Sequence, residues 1–292
     1  MPSAEDGGME IDIYTTEGDI IMQCSLDELV RMNYTQFISY VGQWNVPPGS
    51  ISTINEWAIF GHVNSDSRVL EIACTTGFSG RELARLTGCS VKGIDICKES
   101  IDDAIFNHQY YASECKLSYE HVDLYELKRD YKYTHIILGA AIQFFVDRDK
   151  VVEIISELLE DGGKILVSPY YLTDNHLPKE LIEEARRILG IWPTDFGYET
   201  AMAYYKEFEI LYQSRKDIVA ETKEQMMKYT EDTVNRICEI RNIQDEDIIE
   251  VLKSRLYEIK NVCNELHKRH SYSVLVLRYT KKVFPNRFVE LF

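Results

Sequence analysis

The sequence predicts an α/β fold built on a doubly wound, mostly parallel sheet. Short apolar runs recur between residues 67 and 168 at intervals of about 20 to 30 residues, with helical stretches between them. A turn of small residues, 73–77, joins the first run to a helix, and a Gly162-Gly163 pair precedes the fifth run. Parallel strands joined by a helix form right-handed crossovers, so ligands are expected at the carboxyl ends of the strands.

Composition limits the classes of partner. The chain has 292 residues, 45% of them hydrophobic, which is ample for a core. Its 32 basic and 48 acidic residues give a net charge of −16, and this disfavours nucleic acid, because binding to a phosphate backbone relies on clustered cations. We therefore expect no nucleic-acid partner.

Cysteine usage and hydropathy point to the cytoplasm. The seven cysteines include no C-x-x-C pair, which favours reduced thiols and no metal site. No apolar run approaches the roughly 20 residues of a membrane span, and the acidic N-terminus is unlike a signal peptide. We expect a cytoplasmic protein with no membrane partner.

The N-terminal third reads as a short hairpin followed by helices. Residues 11–22 could form the hairpin. Ser25 and Glu28 have capping-box spacing and predict one helix whose apolar face runs from Leu26 to Val41. A Pro-Pro-Gly break at 47–49 precedes a second helix over 51–62.

The first crossover carries the clearest site signals. Strand 69–72 contains Glu71, helix 78–86 follows the small-residue turn, and strand 91–96 includes Asp95 near its end. The turn lets a ligand approach the backbone, and the start of the helix offers free N–H groups. An acid closing the second strand suits a ribose, because a carboxylate accepts hydrogen bonds from two neighbouring hydroxyls.

The remaining elements continue the alternation and then depart from it. A helix over 100–113, strand 117–122 and strand 133–138 come next, then a helix over 149–159, with Gly162 and Gly163 as its expected left-handed cap, and strand 165–168. Residues 172–205 are mostly helical, with a helix start at Pro178, and 208–219 resemble a strand. A charged helical region, 221–270, is split near 242–245, and 271–279 form the last strand.

The turn separates two cofactor classes. A dinucleotide site requires G-x-G-x-x-G, whereas this chain has Ala73, Thr75 and Gly77, with Glu71 before them. That pattern resembles a degenerate Glu/Asp-x-Gly-x-Gly-x-Gly motif of the class I S-adenosylmethionine-dependent methyltransferases. The Leu-x-x-x-Gly-Gly sequence before the fifth strand is also similar to that family. The resemblance covers residues 67–168 well, and the last two strands by pattern.

The resemblance implies a seven-stranded Rossmann-like sheet with an antiparallel last strand. It also implies an N-terminal helical lid and helical insertions around the sixth strand. The expected division is a lid over 1–63, a cofactor-binding core over 64–170, and substrate-cover insertions with the last two strands over 171–292.

The cofactor implied by this family is S-adenosyl-L-methionine, with S-adenosyl-L-homocysteine as the product. The positions that match its binding elements are Glu71, Ala73, Cys74, Thr75, Gly77, Asp95, Ile96, Asp123, Leu124, Gly139 and Ala140. Thr75 would be strained if its position required positive φ, because its side chain is β-branched.

Methyl transfer requires the acceptor and the methyl group to be aligned about 3 to 3.5 Å apart, away from water. A nitrogen or oxygen acceptor is favoured over carbon. His176 follows the fifth strand and is the best-placed candidate base, with an exposed loop histidine as the alternative. His62 lies at the opposite end of the sheet, and His267 and His270 are expected to face water.

The expected substrate is a small molecule, and methylation of a peptide or protein side chain stays open as an alternative. Tyr170, Tyr171, Tyr34 and Trp44 are candidates to line its pocket, where an aromatic ring could flank a cationic centre. The alternative for Tyr34 and Trp44 is that they only pack the lid onto the core. A homodimer is possible. Two further hypotheses remain, a non-catalytic S-adenosylmethionine-binding subunit and a nicotinamide-dependent enzyme.

Overall fold

A sheet of eight strands, with helices on both faces, forms the centre of the molecule in the computed structural model, which describes residues 24–173 and 176–281. The first five strands are mutually parallel in the order β3, β2, β1, β4, β5. They are β1 Arg68–Ile72, β2 Ser90–Asp95, β3 Lys116–His121, β4 Tyr133–Gly139 and β5 Leu159–Val167. The predicted parallel sheet is confirmed.

The last strand is antiparallel to both of its long neighbours. Strand β8, His270–Arg278, lies between β5 and β7, Glu209–Asp217. A short strand that the sequence did not predict, β6 Tyr170–Leu172, pairs with the start of β8 on the edge that β5 occupies further along. Strand β6 therefore continues the line of β5. When β5 and β6 are counted as one strand, the sheet has seven strands, and the predicted seven-stranded layout is confirmed.

The helices are ten in the described ranges. They are α1 Leu26–Arg31, α2 Tyr34–Tyr40, α3 Ser50–Gly61, α4 Phe78–Thr87, α5 Lys98–Tyr111, α6 Arg148–Leu158, α7 Lys179–Leu189, α8 Tyr198–Ala203, α9 Lys223–Arg241 and α10 Glu246–His267. Two short 3₁₀ turns, Leu124–Glu126 and Ala141–Phe144, follow β3 and β4.

The central strands β1, β4 and β8 are buried on both faces of the sheet, because their side chains alternate between two hydrophobic cores. Leu70 and Ile72 of β1 pack in the core that α6 covers. Val69 and Val91 pack in the opposite core, with Trp57 of α3 and residues of α4. Burial on both faces explains why these strands read as apolar runs rather than as alternating patterns.

Helices α1, α2, α7, α9 and α10 pack around a third hydrophobic core, which lies away from the sheet. We call these five helices the helical cap. Leu29 and Phe37 of the N-terminal segment belong to the same buried cluster as Val234 and Leu256 of α9 and α10. The N-terminal lid and the C-terminal cover, which are far apart in sequence, therefore share one core.

Three arginines of α9 and α10 reinforce this association. Each donates to a backbone carbonyl of the N-terminal segment: Arg236 to Gly42, Arg241 Nε to Tyr40 at 3.2 Å, and Arg255 Nη1 to Leu29 at 2.6 Å. Each guanidinium also lies over an aromatic ring of that segment, those of Trp44, Tyr40 and Phe37 at 5.5, 4.5 and 4.4 Å. Hydrogen bonds from charged groups are worth about 1.5–3 kcal/mol each, so these contacts fix the lid to the cover.

The helix predicted from Leu26 to Val41 begins where expected but ends earlier. Ser25 and Glu28 form the predicted capping box. The single helix is instead two, because Asn33 begins a second helix by accepting the Gln36 N–H at 2.9 Å. The hairpin predicted for residues 11–22 lies outside the described residues.

The Gly162-Gly163 pair does not cap a helix, contrary to expectation. Helix α6 ends at Leu158 and β5 begins at the next residue. The Gly162 N–H donates to the Tyr279 carbonyl at 2.9 Å, and the Tyr279 N–H donates to the Gly163 carbonyl at 2.8 Å. The pair thus extends the β5 contact with the chain that leaves β8, and Gly162 adopts the positive φ, +83°, that this path requires.

Replacing Leu256 by alanine tests the shared core of the cap. Leu256 is fully buried, and deleting a buried leucine side chain should lower the free energy of unfolding by about 2–5 kcal/mol. Leu86→Ala, at a side chain 53% exposed on α4, is the control and should change it by less than about 0.5 kcal/mol. Urea denaturation measures both. Hydrogen exchange should accelerate in residues 26–41 of Leu256→Ala, and acceleration confined to α10 would contradict a shared core.

Candidate active site

The turn after β1 has a left-handed backbone at each position where the resembled motif carries glycine. The φ angles of Ala73, Thr75 and Gly77 are +55°, +47° and +74°. Glycine adopts this conformation without strain, but other residues lose roughly 1–2 kcal/mol each. Ala73 and Thr75 therefore keep the backbone path of the motif at a cost in stability.

Asp95 fixes this turn from the end of β2. Its Oδ2 accepts the Thr75 N–H and its Oδ1 accepts the Cys97 N–H, both at 2.9 Å. The side chain is buried, and burial raises the pKa of the carboxyl, while the hydrogen bonds from Cys97 and Thr75 act in the opposite direction. Each carboxylate oxygen retains a further lone pair, which could accept a ribose hydroxyl.

Glu71 lies under α4 rather than at the end of its strand. It is 4% exposed, and its Oε2 accepts the Gly80 N–H at 3.0 Å. A Cβ atom at Gly80 would lie 2.5 Å from this oxygen, so the small residue permits the contact. Burial raises the pKa of Glu71 to about 7, although hydrogen bonds from Gly80 and Ser79 lower it. Glu71 thus connects β1 to the first turn of the helix.

Asp123 lies next to the end of β2. It follows β3, and the preceding Val122 N–H donates to the Asp95 carbonyl at 3.0 Å. Its Oδ1 accepts the Tyr125 N–H at 2.9 Å and begins a 3₁₀ turn. Leu124 is buried in the core, and Ile96 is exposed. Asp95 and Asp123 are therefore neighbours at one edge of the sheet.

Space is left beside the end of β4. Gly139 has a φ of +53°, and a Cβ atom built on it would meet nothing within 4 Å. Ala140 follows it and is half-buried. Cys74 is buried beneath the turn, and burial raises the pKa of its thiol. The turn, the two acids and Gly139 bound what we call the crevice.

Sequence reasoning missed Tyr119 of β3, whose ring packs under the turn. A Cβ atom at Gly77 would lie 2.6 Å from the Tyr119 hydroxyl oxygen, and one at Gly93 would lie 2.7 Å from its ring. The hydroxyl is buried and has no hydrogen-bond partner among the described residues. A glycine inside strand β2 was the available signal, because strand glycines mark close approaches.

Two of the four residues predicted to contact substrate come together between the cap and the sheet. Burial raises the pKa of the Tyr34 hydroxyl, and electrostatic interactions with Cys263 and Tyr170 raise this pKa further. Burial also raises the pKa of Tyr170 to about 12. Both side chains are half-buried, and their electrostatic interaction places them near each other.

The other two point elsewhere. Tyr171 occupies the opposite face of β6, where its hydroxyl contacts Ser273 Oγ at 3.0 Å. Trp44 packs on Phe78 and Tyr111, with ring centroids 5.6 and 5.4 Å away. For Trp44, these contacts agree with the packing alternative.

A buried polar network lies beside Tyr170. The Thr194 hydroxyl donates to Gln143 Oε1 at 2.6 Å, and the Thr194 carbonyl accepts from His270 Nε2 at 2.8 Å. The His270 ring meets that of Tyr170 at 5.6 Å. His270 is 4% exposed, so the expectation that it faces water was wrong. Gln143 Nε2 is buried and makes no hydrogen bond of good geometry in the part of the chain that the structure describes, but the amide lies near enough to the Tyr170 hydroxyl to act on its pKa.

The candidate base stays a prediction. His176 is exposed, beside residues 174–175, which are outside the described ranges. Its exposure favours the alternative of a loop histidine. Residues 24–173 and 176–281 contain no group of three or more His, Cys, Asp or Glu side chains placed to hold a metal ion. Among these residues, no helix combines the length and apolar character needed to cross a bilayer.

Comparison with known proteins decides the family. A family profile described as a methyltransferase domain matches residues 63–245, more than half of the chain. The chain belongs to the class I S-adenosylmethionine-dependent methyltransferases. The dinucleotide alternative is thereby set aside, as the missing glycines indicated.

Individual relatives are distant. Methyltransferase GfsG of Streptomyces halstedii is 26% identical over 181 residues, covering 58% of this chain and 63% of its own. The chain thus spans less than two thirds of that relative. A Geobacter sulfurreducens methyltransferase solved with S-adenosyl-L-homocysteine superposes with a TM-score of 0.62 at 16% identity, covering 83% of this chain and 96% of its own. Phosphoethanolamine N-methyltransferase 2 of Haemonchus contortus superposes with a TM-score of 0.60 at 17% identity. The match covers 87% of this chain and 60% of the Haemonchus chain.

Exchanging Ala73 for glycine should stabilise the methyltransferase. The change removes the strain of a positive φ, and only part of this gain is offset by the larger entropy of the unfolded chain, so the free energy of unfolding should rise by up to about 1 kcal/mol. The control is Ala84→Gly inside α4, which should lower it by about 1 kcal/mol or more. Guanidinium denaturation gives both values. Equal destabilisation by both changes would contradict the strain at Ala73.

Glu71→Gln should flatten the pH dependence of stability. The pKa of Glu71 rises from an ordinary 4.5 to about 7 on folding, so between these values the folded chain binds more protons than the unfolded chain. Stability associated with Glu71 is present below pH 4.5 and is lost as the pH rises through 7. Urea denaturation at pH values from 5 to 8 measures the free energy of unfolding. Its decline over this range should be smaller in Glu71→Gln than in the wild type, by up to about 3 kcal/mol. An unchanged decline would rule out this titration.

Proposed function

We propose that this protein transfers a methyl group from S-adenosylmethionine to a small-molecule acceptor, at nitrogen or oxygen. The observation that carries the proposal is the crevice itself. Asp95 fixes a left-handed turn after β1, and the neighbouring strand β4 ends at Gly139, where an added Cβ atom would meet nothing within 4 Å.

The residues present fit the cofactor. The turn at 73–77 exposes backbone that the methionine half can approach, because its side chains are small or directed away. The carboxylate of Asp95 has lone pairs left for the ribose hydroxyls, and Asp123 offers an acceptor to the adenine amino group. The cofactor, when bound, supplies a methyl group activated by a positive sulfur.

The contribution of the chain to the reaction is placement and exclusion of water. Proximity and alignment can supply about 7–11 kcal/mol of a barrier. The cap encloses Tyr34 and Tyr170, so an acceptor between them leaves bulk water. Gln143 Nε2, held through Thr194, can orient it by one hydrogen bond.

Several features support a small acceptor. The net charge of −16 disfavours nucleic acid. Tyrosine faces attract cationic centres, which favours an amine. The Haemonchus relative, an N-methyltransferase by name, is consistent with that class.

The alternative is a non-catalytic subunit that binds the same nucleoside. The strained Ala73 and Thr75 favour it, because they mark a departure from the glycine motif. The exposure of His176 also favours it, since an exposed imidazole is poorly placed as a base.

Calorimetry with S-adenosylhomocysteine tests the site. Asp95→Asn should weaken binding about 10- to 100-fold, because a charged acceptor of hydrogen bonds is lost. Asp102→Asn is the control, at an exposed carboxylate of α5 paired with Lys98, and its affinity should equal that of the wild type. Equal affinity of Asp95→Asn and the wild type would remove Asp95 from the site.

Transfer of a labelled methyl group to panels of amines, phenols and alcohols tests the reaction. Label in any acceptor supports an enzyme, and its position gives the acceptor atom. Tight binding of S-adenosylhomocysteine without transfer to any panel would support the non-catalytic alternative. Absence of binding would overturn both.

A further inference from the structure

A cavity lies beside α4, between that helix, the end of α5 and residues 44–51. Its volume is about 330 Å³, near the lower end of the range of roughly 300–1,000 Å³ for small-molecule sites. Its walls are mostly apolar, with Val46 and Ile51 on one side and Phe78 and Tyr111 on the other. None of the residues predicted to hold the cofactor lines it.

Arg81 lines this cavity and is the most unusual charge in the structure. Its side chain is 0% exposed. Its Nε donates to Glu82 Oε1 at 3.2 Å, but Nη1 and Nη2 have no hydrogen-bond partner among the described residues. The rings of Trp44, Phe78 and Tyr111 lie 5.0, 5.5 and 5.6 Å from its Cζ.

Aromatic rings attract a guanidinium but do not accept its N–H groups as an oxygen would. A buried charge normally has both a counter-charge and hydrogen bonds. Arg81 shares Glu82 with Arg85, whose Nη1 lies 3.2 Å from Glu82, and the buried Glu71 interacts with Arg81 at longer range, but neither carboxylate accepts from Nη1 or Nη2. Two unpaired donors on one planar group match the two oxygens of a carboxylate.

The local charge selects the class of anion. Arg81 and Arg85 contribute two positive charges at the cavity and Glu82 one negative charge, so the balance is +2 − 1 = +1 in a chain whose net charge is −16. A single negative charge neutralises this site, whereas a phosphate dianion would leave an excess. The apolar walls require the rest of the ligand to be apolar.

We propose that this cavity binds a small organic monocarboxylate with a flat apolar body. Its carboxylate accepts from Arg81 Nη1 and Nη2, and its body packs against Trp44, Phe78 and Tyr111. Because these rings cover the guanidinium, the Trp44 ring moves when the carboxylate binds.

Phenylacetate is a suitable probe, with phenylacetamide as its neutral counterpart and phenyl phosphate as the dianion. The protein is saturated with S-adenosylhomocysteine beforehand, so that the crevice is not available to the probe. Tryptophans are replaced by 5-fluorotryptophan, and the chain has only three, which gives three ¹⁹F signals. A Trp44→Phe sample assigns the relevant one. Phenylacetate should shift the Trp44 signal saturably, and the other two compounds should not.

Arg81→Met should weaken phenylacetate at least tenfold. Methionine keeps the length and removes an incompletely paired charge, and such replacements of buried ions are often tolerated. Arg186→Met is the matched control, because Arg186 also lies over a tryptophan, Trp192, at 4.1 Å but at an exposed site. It should leave the affinity unchanged. Arg81→Lys keeps the positive charge but lacks the two parallel N–H donors of the guanidinium, so its affinity for phenylacetate should fall severalfold. It replaces Arg81→Met in this test if Arg81→Met fails to fold.

Four results would overturn the proposal. One is equal, unsaturated shifts with phenylacetate and phenylacetamide. Another is phenylacetate affinity that is the same in the Arg81 variants and in the wild type. The third is a saturable shift that appears only when S-adenosylhomocysteine is omitted, which would place the probe in the crevice. Binding of phenyl phosphate in place of phenylacetate would assign a different ligand class and reject the monocarboxylate.

Discussion

The hydrogen bond from the Thr75 N–H to Asp95 Oδ2 is the contact on which the candidate active site depends. Two non-glycine residues of the turn, Ala73 and Thr75, occupy left-handed conformations that they would leave if nothing held them. The second oxygen of Asp95 is fixed by the Cys97 N–H, so the carboxylate joins the turn after β1 to the end of β2. The same side chain that shapes the crevice is thereby aimed at the proposed ribose site, and its two roles cannot be separated.

The helical cap adds a second constraint. Its lid and cover share a core and three arginine contacts, so the two are expected to open and close as one body. Two hydrogen bonds join the cap to α5: a buried one between the Ser39 and Ser100 hydroxyls at 2.9 Å, and an exposed one from Gln36 to Glu99 at 3.2 Å. The contacts with α5 are therefore more polar than the apolar core that joins the lid to the cover.

The sequence was sufficient for the sheet because strands buried on both faces leave apolar runs, and helix starts leave caps such as Ser25. It was insufficient where the decisive contact joins distant positions. Strand β6 exists because Tyr170–Leu172 finds the start of β8, and His270 is buried because the Thr194 carbonyl accepts its ring N–H. Neither contact has a local signal. Tyr119 had one, the glycines that make room for its ring, but glycine spacing does not say which side chain fills the room.

Spacing also located the three acids without giving their directions. Glu71 lies inside β1 and contacts α4, whereas Asp95 is the last residue of β2 and Asp123 follows β3. Side chains of a strand alternate between its faces, and only those at or past its end can turn toward a ligand at the sheet edge. The same reasoning removes most of the weight from the missing glycines. The φ angles at Ala73 and Thr75 remain those that glycine would adopt, so the backbone path offered to the cofactor is conserved in geometry. Ala73 and Thr75 therefore lower stability while the turn keeps its path, and on this ground they give the non-catalytic alternative only weak support.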